Sequence, residues 1–471
     1  MTPDIHLKRY IMAEFKITVA HPLTRESKFV IYDSHYSTLK WEDGTPVVDT
    51  KLNTETIEQV KLQKGKKPKT VKIQLGLSCN FECEYCNQRF VPHSDSTNPQ
   101  DVYPFVDNMS TWFDGGEDGL GKGTEFEFWG GEPLVYWKTL KPLAEKLHKK
   151  YPNAAKLIIT NGSLLDIEKV DWFEKLGFVV AVSHDGPGQF VRGPDPLNDP
   201  VSKEGILYAY KKLAPLGKMT LNCMLNAKNI SRADIQKYFE DFIRENLGEE
   251  YLQYLFFGEG GFIDAYDEGG IGASLLTDED EINFRIKAFT ELRSGDVSRY
   301  SIIQTKVNSF IASLETGRRK ETLTQKCGMD LSDNMAIDLN GNVLTCQNVS
   351  TVSTNPSGIS HHLGHVSDLA NVEIKTGTHW SDREECPNCP VLHICRGACF
   401  FLTGPLWEAS CSNAFSDNVV IFAIAIEFLT GLTPIYIEGP QREDRKDVFW
   451  WVNGKPENNR KAKKIIPITA I

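Results

Sequence analysis

From residue 71 onward the chain alternates between short apolar runs and stretches of helical periodicity. Strand-like runs lie at 71–77, 125–129, 156–160, 178–183, 219–225 and 252–257. Helical patterns fall between them at 101–112, 136–150, 165–176, 203–213 and 232–246. Repeated strand–helix units predict a parallel sheet or barrel covered by helices. Six units fit better than eight, because the pattern breaks near residue 260. Before residue 70 the period is two: 15–20 and 28–32 alternate like a hairpin, and Asp43-Gly44 adds a turn. This β-rich region is expected to be a structural cap, with strand addition by an extended peptide as the alternative. Residues 258–272 are glycine-rich and acidic, which predicts a loop at the rim. Thr277 and Asp280 have capping-box spacing before a helix over 277–292, and helical periodicity runs on through 283–314. The longest apolar run, 419–432, is too short to span a bilayer and contains Glu427, so it predicts a buried helix.

In parallel α/β architectures function collects where the strands end at their C-termini. That rule puts four segments on one rim. Leu77 to Cys86 follows the first strand and Gly130-Gly131-Glu132-Pro133 the second. Thr160-Asn161-Gly162 follows the third and Ser183-His184-Asp185-Gly186 the fourth. The first of these holds Cys79, Cys83 and Cys86 at C-x3-C-x2-C spacing. Clustered thiolates select zinc or an iron–sulfur cluster. A closed zinc site normally has four protein ligands. Three cysteines on a four-iron cluster leave one iron open to another ligand.

The C-x3-C-x-aromatic-C pattern resembles the signature of the radical S-adenosylmethionine (SAM) enzymes. The resemblance implies a 4Fe-4S cluster whose open iron is chelated by the amino and carboxylate groups of SAM. It also implies cleavage of SAM to methionine and a 5′-deoxyadenosyl radical. Tyr85 fills the aromatic slot, which in the family packs near the adenine. The Gly-Gly-Glu-Pro segment at this place is typical of the same fold. The ligand's ammonium group needs acceptors, which strand-end carbonyls and Glu132 supply. Gly130 and Gly131 allow close backbone approach. Ser183, Asp185 and Asn161 suit a ribose, although Thr160 to Gly162 equally suits a turn. Arg192 is the nearest cation for the carboxylate, with a surface ion pair as the alternative. His184 is expected to be a structural strand-end histidine.

A second cysteine cluster follows. Cys327 precedes the Gly341 to Cys346 segment, and Cys386, Cys389, Cys395 and Cys399 then stand at C-x2-C-x5-C-x3-C spacing before Cys411. A C-x2-C alone would suggest a zinc ribbon. The full pattern resembles the SPASM domain of radical SAM enzymes that modify peptides and proteins. That implies two auxiliary 4Fe-4S clusters, three in all. Cys386, Cys389, Cys395 and Cys411 would complete one. Cys327, Cys346 and Cys399 would hold the other, leaving an open iron or a non-cysteine ligand. In anaerobic sulfatase maturases an aspartate base follows the cysteine corresponding to Cys346, and here that residue is Gln347.

The expected fold is therefore α/β: a partial (β/α)6 radical SAM barrel with a C-terminal cysteine-rich SPASM domain. Its expected boundaries are 1–70 (accessory), 71–310 (barrel), 311–415 (auxiliary clusters) and 416–471 (helix and tail). The expected activity is hydrogen abstraction from a side chain of a ribosomally made precursor peptide, leading to a thioether or carbon–carbon crosslink. A flavodoxin- or ferredoxin-type reductant would be the second partner. The alternatives are sulfatase-type oxidation of Cys or Ser to formylglycine, and a zinc-binding adaptor without catalysis. No proton acceptor is singled out among Asp330, Asp338 and Glu259.

Charge and cysteine usage narrow the setting. The balance of 52 basic and 63 acidic residues gives −11, which argues against a nucleic-acid backbone as partner. The local run Lys61, Lys64, Lys66, Lys67 and Lys69 is expected to be a solvated linker. Ten of eleven cysteines fall into ligand-type spacings, so a reducing, cytoplasmic interior is expected. The first 20 residues carry no signal-peptide pattern, and no membrane association is expected. Cys223 stands alone in a strand and is expected to act as a small buried apolar residue.

Overall fold

A computed structural model describes residues 13–51, 63–93, 97–114, 120, 123–293, 300–317, 324–446 and 449. Strands β1 (Glu14–Ala20) and β2 (Ser27–Asp33) form the expected hairpin, and β3 (Thr38–Trp41) extends it. Phe15, Ile17 and Val19 alternate inward, so one face of the ribbon is core. The outer edge of β1 is taken by a strand from the far end of the chain, Thr433–Glu438. That edge is closed to an added peptide strand.

Six consecutive strands pair in parallel: β4 (Thr70–Gln74), β5 (Glu125–Trp129), β6 (Ala155–Thr160), β7 (Val179–Ser183), β8 (Met219–Leu225) and β9 (Phe257–Phe262). β10 (Asn334–Asp338) adds in parallel to the free edge of β4, and β11 (Asn342–Leu344) and β12 (His362–His365) continue antiparallel. The segment holding Cys346 thus belongs to the same nine-stranded sheet as the first cysteine loop. The chain from 433 to 438 is β13.

The sixth strand corrects the sequence reading. Residues 249–254 form a short 3-10 helix instead, and the strand is Phe257–Phe262, FGEGGF, where a loop is expected. The glycines leave room for side chains of β8 that lie across the strand. A Cβ at Gly258 would sit 2.3 Å from Asn222 Oδ1, and one at Gly260 2.2 Å from Met224 Sδ. Lys64 is a second correction. It is buried, and its ammonium donates to the carbonyls of Met329, Leu331 and Asn334. Burial lowers its pKa to about 8. Lys66, Lys67 and Lys69 are exposed as expected, and Lys61 lies outside the described residues.

Helices Val102–Trp112, Trp137–Lys150, Ile167–Leu176, Pro200–Leu213 and Arg232–Leu247 carry the crossovers. Their ends are written locally. Asp166 Oδ1 accepts from Lys169 N at the start of one helix, and Gly177 (φ 74°) closes it. Thr277 and Asp280 form the expected reciprocal cap. The apolar run at 419–432 lies within a longer helix, Gly404–Thr430, buried almost all round from Asn413 to Ile426. It is the one helix among the described residues long and apolar enough to cross a membrane, and 83% of its most apolar window is covered by the protein.

Candidate active site

The cysteine loop leaves β4 and is clamped by the turn after β5. Gly131 N donates to Gly76 O (3.1 Å), Glu132 N to Ser78 O (3.0 Å), and Ser78 N to the Tyr136 hydroxyl (2.8 Å). A Cβ on Gly131 would lie 2.4 Å from both Leu77 O and Ser78 O. Gly131 is therefore needed where the two loops touch. Gly131→Ala should cost about 1–3 kcal/mol through overpacking. It should also displace the cysteine loop, seen as iron lost from the anaerobically prepared protein.

Glu132 is almost fully buried. Its Oε1 accepts from Leu134 N (3.0 Å) and Thr160 Oγ1 (2.7 Å), and its Oε2 from Asn161 N (2.7 Å). Burial raises its pKa against these bonds. Asn161 Nδ2 reaches Asn80 Oδ1 (2.9 Å). Glu132 and Asn161 thus lock the loops after β5 and β6 onto the cysteine loop, and one Oε2 lone pair remains for an ammonium group. Gly130 lies against Gly76 O and the Tyr136 ring. Ser183 ends β7, half-buried.

Asp185, expected at a ribose, is fully buried and accepts from the Tyr85 hydroxyl and from Met224 N (3.0 Å). Arg192 Nη1 donates to Tyr85 Oη (2.9 Å) and lies 3.7 Å from Asp185. Arg192 is therefore no surface ion pair. Burial opposes its charge, but Tyr85, Asp185 and Cys83 outweigh that and raise its pKa. The three residues form one buried unit behind the cysteines. Burial pushes the Cys83 thiol up to about 11, with Arg192 acting against the shift. His184 is structural as expected. Its Nε2 meets Asp195 (2.9 Å), its Nδ1 accepts from Gly186 N (3.0 Å), and its ring stacks on Tyr238. Cys223 is buried in β8 as a lone residue.

The later cysteines gather in two groups. Cys386, Cys389, Cys395 and Cys411 line one pocket together with Trp407, Phe415 and Arg445. Burial pushes the Cys389 thiol up to about 12. Cys346 and Cys399 are also raised by burial, and Cys327 is close enough to raise both further. Tyr266 lies beside Cys399, and burial raises its pKa well above the usual phenol value. Among the described residues no three His, Cys, Asp or Glu side chains are placed to hold one metal ion between them. Four thiols lining one pocket are a donor set that suits zinc or an iron–sulfur cluster.

The segment after Cys346 packs directly on the first cysteine loop. Gln74 Nε2 donates to the carbonyls of Gln347 (2.7 Å) and Val349 (2.6 Å), and Gln88 Nε2 to Asn348 Oδ1 (2.9 Å). Between the two segments opens a cavity of about 250 Å3. Cys86, Phe90 and Pro92 line one side, and Tyr266, His361 and Phe401 another. His361 is buried, its Nδ1 has no hydrogen-bond partner, and burial lowers its pKa to about 4.

The three acidic candidates fall elsewhere. Glu259 is gripped by Arg232 (2.8 and 2.6 Å), and Asp338 closes the turn to Asn342. Asp330 accepts from Gln325 N beneath Cys327. None of them lines the larger cavity. Sequence reasoning missed Tyr266, His361 and Arg445, because each reaches its place from a loop or tail that carries no motif.

No family model matches the chain. It is 24% identical over 166 residues to a radical SAM cyclopropyl synthase, TigE, of Paramaledivibacter caminithermalis, covering 31% of this chain and 34% of that protein. The match thus spans about a third of that relative's length. It is 24% identical over 371 residues to a serine-type anaerobic sulfatase-maturating enzyme of Bacteroides thetaiotaomicron, covering 71% of this chain and 83% of that one. A solved anSMEcpe structure with bound AdoMet and the Cp18Cys peptide superposes with a TM-score of 0.47 and 17% identity, covering 77% of this chain and 99% of the other. The sequence relatives are thus a radical SAM enzyme and a sulfatase maturase, the enzymes that the cysteine motifs resemble.

Proposed function

We propose that this chain is a radical SAM enzyme with auxiliary clusters that oxidises a side chain of a peptide, forming a thioether or carbon–carbon crosslink. One observation carries the reading. Cys86, at the end of the first cysteine loop, and Val349 and Phe401, near Cys346 and Cys399, line a single cavity of about 250 Å3. A peptide side chain inserted there would lie beside both cysteine sets.

Cys79, Cys83 and Cys86 would hold the SAM-binding cluster. Bound there, SAM supplies a carbon-centred radical that removes a hydrogen atom from the substrate. Gly130, Gly131, Glu132 and Asn161 would shape the ligand's cradle, with Tyr85 and Arg192 behind the cysteines and Ser183 at the rim. Cys386, Cys389, Cys395 and Cys411 would hold one auxiliary cluster. Cys327, Cys346 and Cys399 would hold another with a non-cysteine fourth position. The protein's part is orientation and exclusion of water. Phe90, Pro92 and Phe401 provide the apolar walls. Gln347 offers no base, and its Oε1 is buried without a partner.

His361 lines this cavity and its Nδ1 has no hydrogen-bond partner, which places it to take up the proton that leaves the substrate. His361→Asn should therefore lower product formation by about 100-fold, the lower end for loss of a general base, while deoxyadenosine still forms. Chromatography of deoxyadenosine and mass spectrometry of the peptide on the same samples read both. Equal loss of the two would remove His361 from this role.

The second relative's name favours another reading, formylglycine formation, supported by a match over 371 residues. The replacement of the expected aspartate by Gln347 weighs against it. Crosslinking and serine oxidation both remove two hydrogens from the peptide. A hydrazide reagent labels only the aldehyde, so anaerobic incubation with SAM, a reductant and candidate peptides, followed by labelling, separates them. A wild-type protein that binds no iron after anaerobic preparation would end both readings.

A further inference from the structure

We propose that Arg445 is a positioning residue for the cluster that Cys386, Cys389, Cys395 and Cys411 would hold, and that it raises that cluster's reduction potential. The inference rests on the reading that these four thiols ligate an iron–sulfur cluster. Arg445 ends a short 3-10 turn, Glu443–Arg445, just after β13. It lies 56 residues beyond Cys389 and 34 beyond Cys411. Its side chain nonetheless enters the wall of their cavity and is only 6% exposed. Nη2 donates to Cys411 Sγ at 3.1 Å, and Nη1 approaches Cys389 Sγ at 3.9 Å. The guanidinium lies over the Phe415 ring, 4.3 Å from its centroid. The turn is pinned to the helix that carries Cys411, because Arg442 Nη1 meets Glu408 Oε2 at 3.2 Å.

The partners are what make this arrangement informative. Among the described residues, no carboxylate lies within ion-pair distance of Arg445. An arginine is always charged, and the nearby Asp444 acts on it only from beyond ion-pair distance. Arg383, at the other side of the thiols, places its Nη2 on the carbonyls of Phe400 and Leu402. Arg445 instead directs both terminal nitrogens at sulfur. The thiolates of a ligated cluster would supply negative charge directly beside Arg445.

N–H···S bonds and a fixed positive charge stabilise the reduced, more negative form of a cluster. In a dry site the effect is not screened by water. Arg445 thus makes this cluster a better electron acceptor, the property needed in a centre that takes an electron from an oxidised substrate.

The test is a dithionite titration of the anaerobically reconstituted full chain, followed by electron paramagnetic resonance and iron analysis. In Arg445→Gln one cluster signal should move to a lower midpoint potential while the other signals stay in place. Arg445→Lys, which keeps the charge and loses the two-pronged geometry, should move it less. Selective loss of one cluster in Arg445→Gln, with its retention in Arg445→Lys, would also support the charge-matching role. Unmoved midpoints in Arg445→Gln at full iron content would overturn the inference and leave the function intact. A Cys386→Ala protein that keeps every wild-type cluster signal would instead show that these thiols ligate nothing, which is the failure of the underlying reading.

Discussion

Cys83→Ala should abolish deoxyadenosine formation and remove about four iron atoms per chain, those of one four-iron cluster. The reason is local. Cys83 stands in a loop whose backbone is held by Gly131 and Tyr136, so the loop stays in place when the sulfur goes. What disappears is one of the three thiolates, and two cannot hold a cluster in this site. The contrast is Cys223→Ala. Cys223 is equally a cysteine but is buried alone in β8, so its removal should leave iron content and deoxyadenosine formation as they are. Iron analysis and chromatography of the two variants side by side check both expectations. Deoxyadenosine production by Cys83→Ala at the wild-type level would refute the assignment of the first cluster.

Arg232→Ala should destabilise the fold by about 3–5 kcal/mol, the cost of removing one partner from a buried ion pair. Arg232 is fully buried at the start of helix Arg232–Leu247. It binds Glu259 on β9 through two nitrogens, 2.8 and 2.6 Å, and Asp417 in the long helix at 2.5 Å. Only Lys306, 3.4 Å from Asp417, would remain to offset two buried carboxylates. Burial alone would raise the pKa of Asp417, but Arg232 and then Lys306 hold it below the usual carboxylate range. Its contribution to stability is therefore present above the unfolded carboxyl pKa and is lost as pH falls through the lower folded value. Without Arg232 that pKa rises, so the deficit should be greatest at neutral pH and shrink toward acid. Urea unfolding of both proteins at several pH values reads the difference. A neutral-pH midpoint equal to wild type would show that the network adds nothing.

Much of this was legible along the chain because it rests on nearest-neighbour chemistry. The strand–helix alternation from 71 to 247 follows from side-chain period, and the helix caps at Asp166 and Thr277 from residues three positions apart. The misplaced sixth strand shows the limit of such signals. FGEGGF has loop composition, and it pairs as a strand because Asn222 and Met224 of β8 occupy the space where side chains would project. At the site, the partners of Asp185 were not legible either, because Tyr85 and Met224 reach it from distant segments.

By itself the sequence determined the cysteine spacings, the order of the loops along one rim, and hence the class of chemistry to expect. Ligand spacing within a loop and strand order are set by local geometry and period. Tertiary structure alone decided that β10 joins the edge of β4, that the chain's end closes the N-terminal sheet, and that Arg445 and His361 arrive at the cavities. Those placements join residues far apart in the chain. They are chosen by the burial of apolar faces and the pairing of buried charges, which no short window of sequence contains.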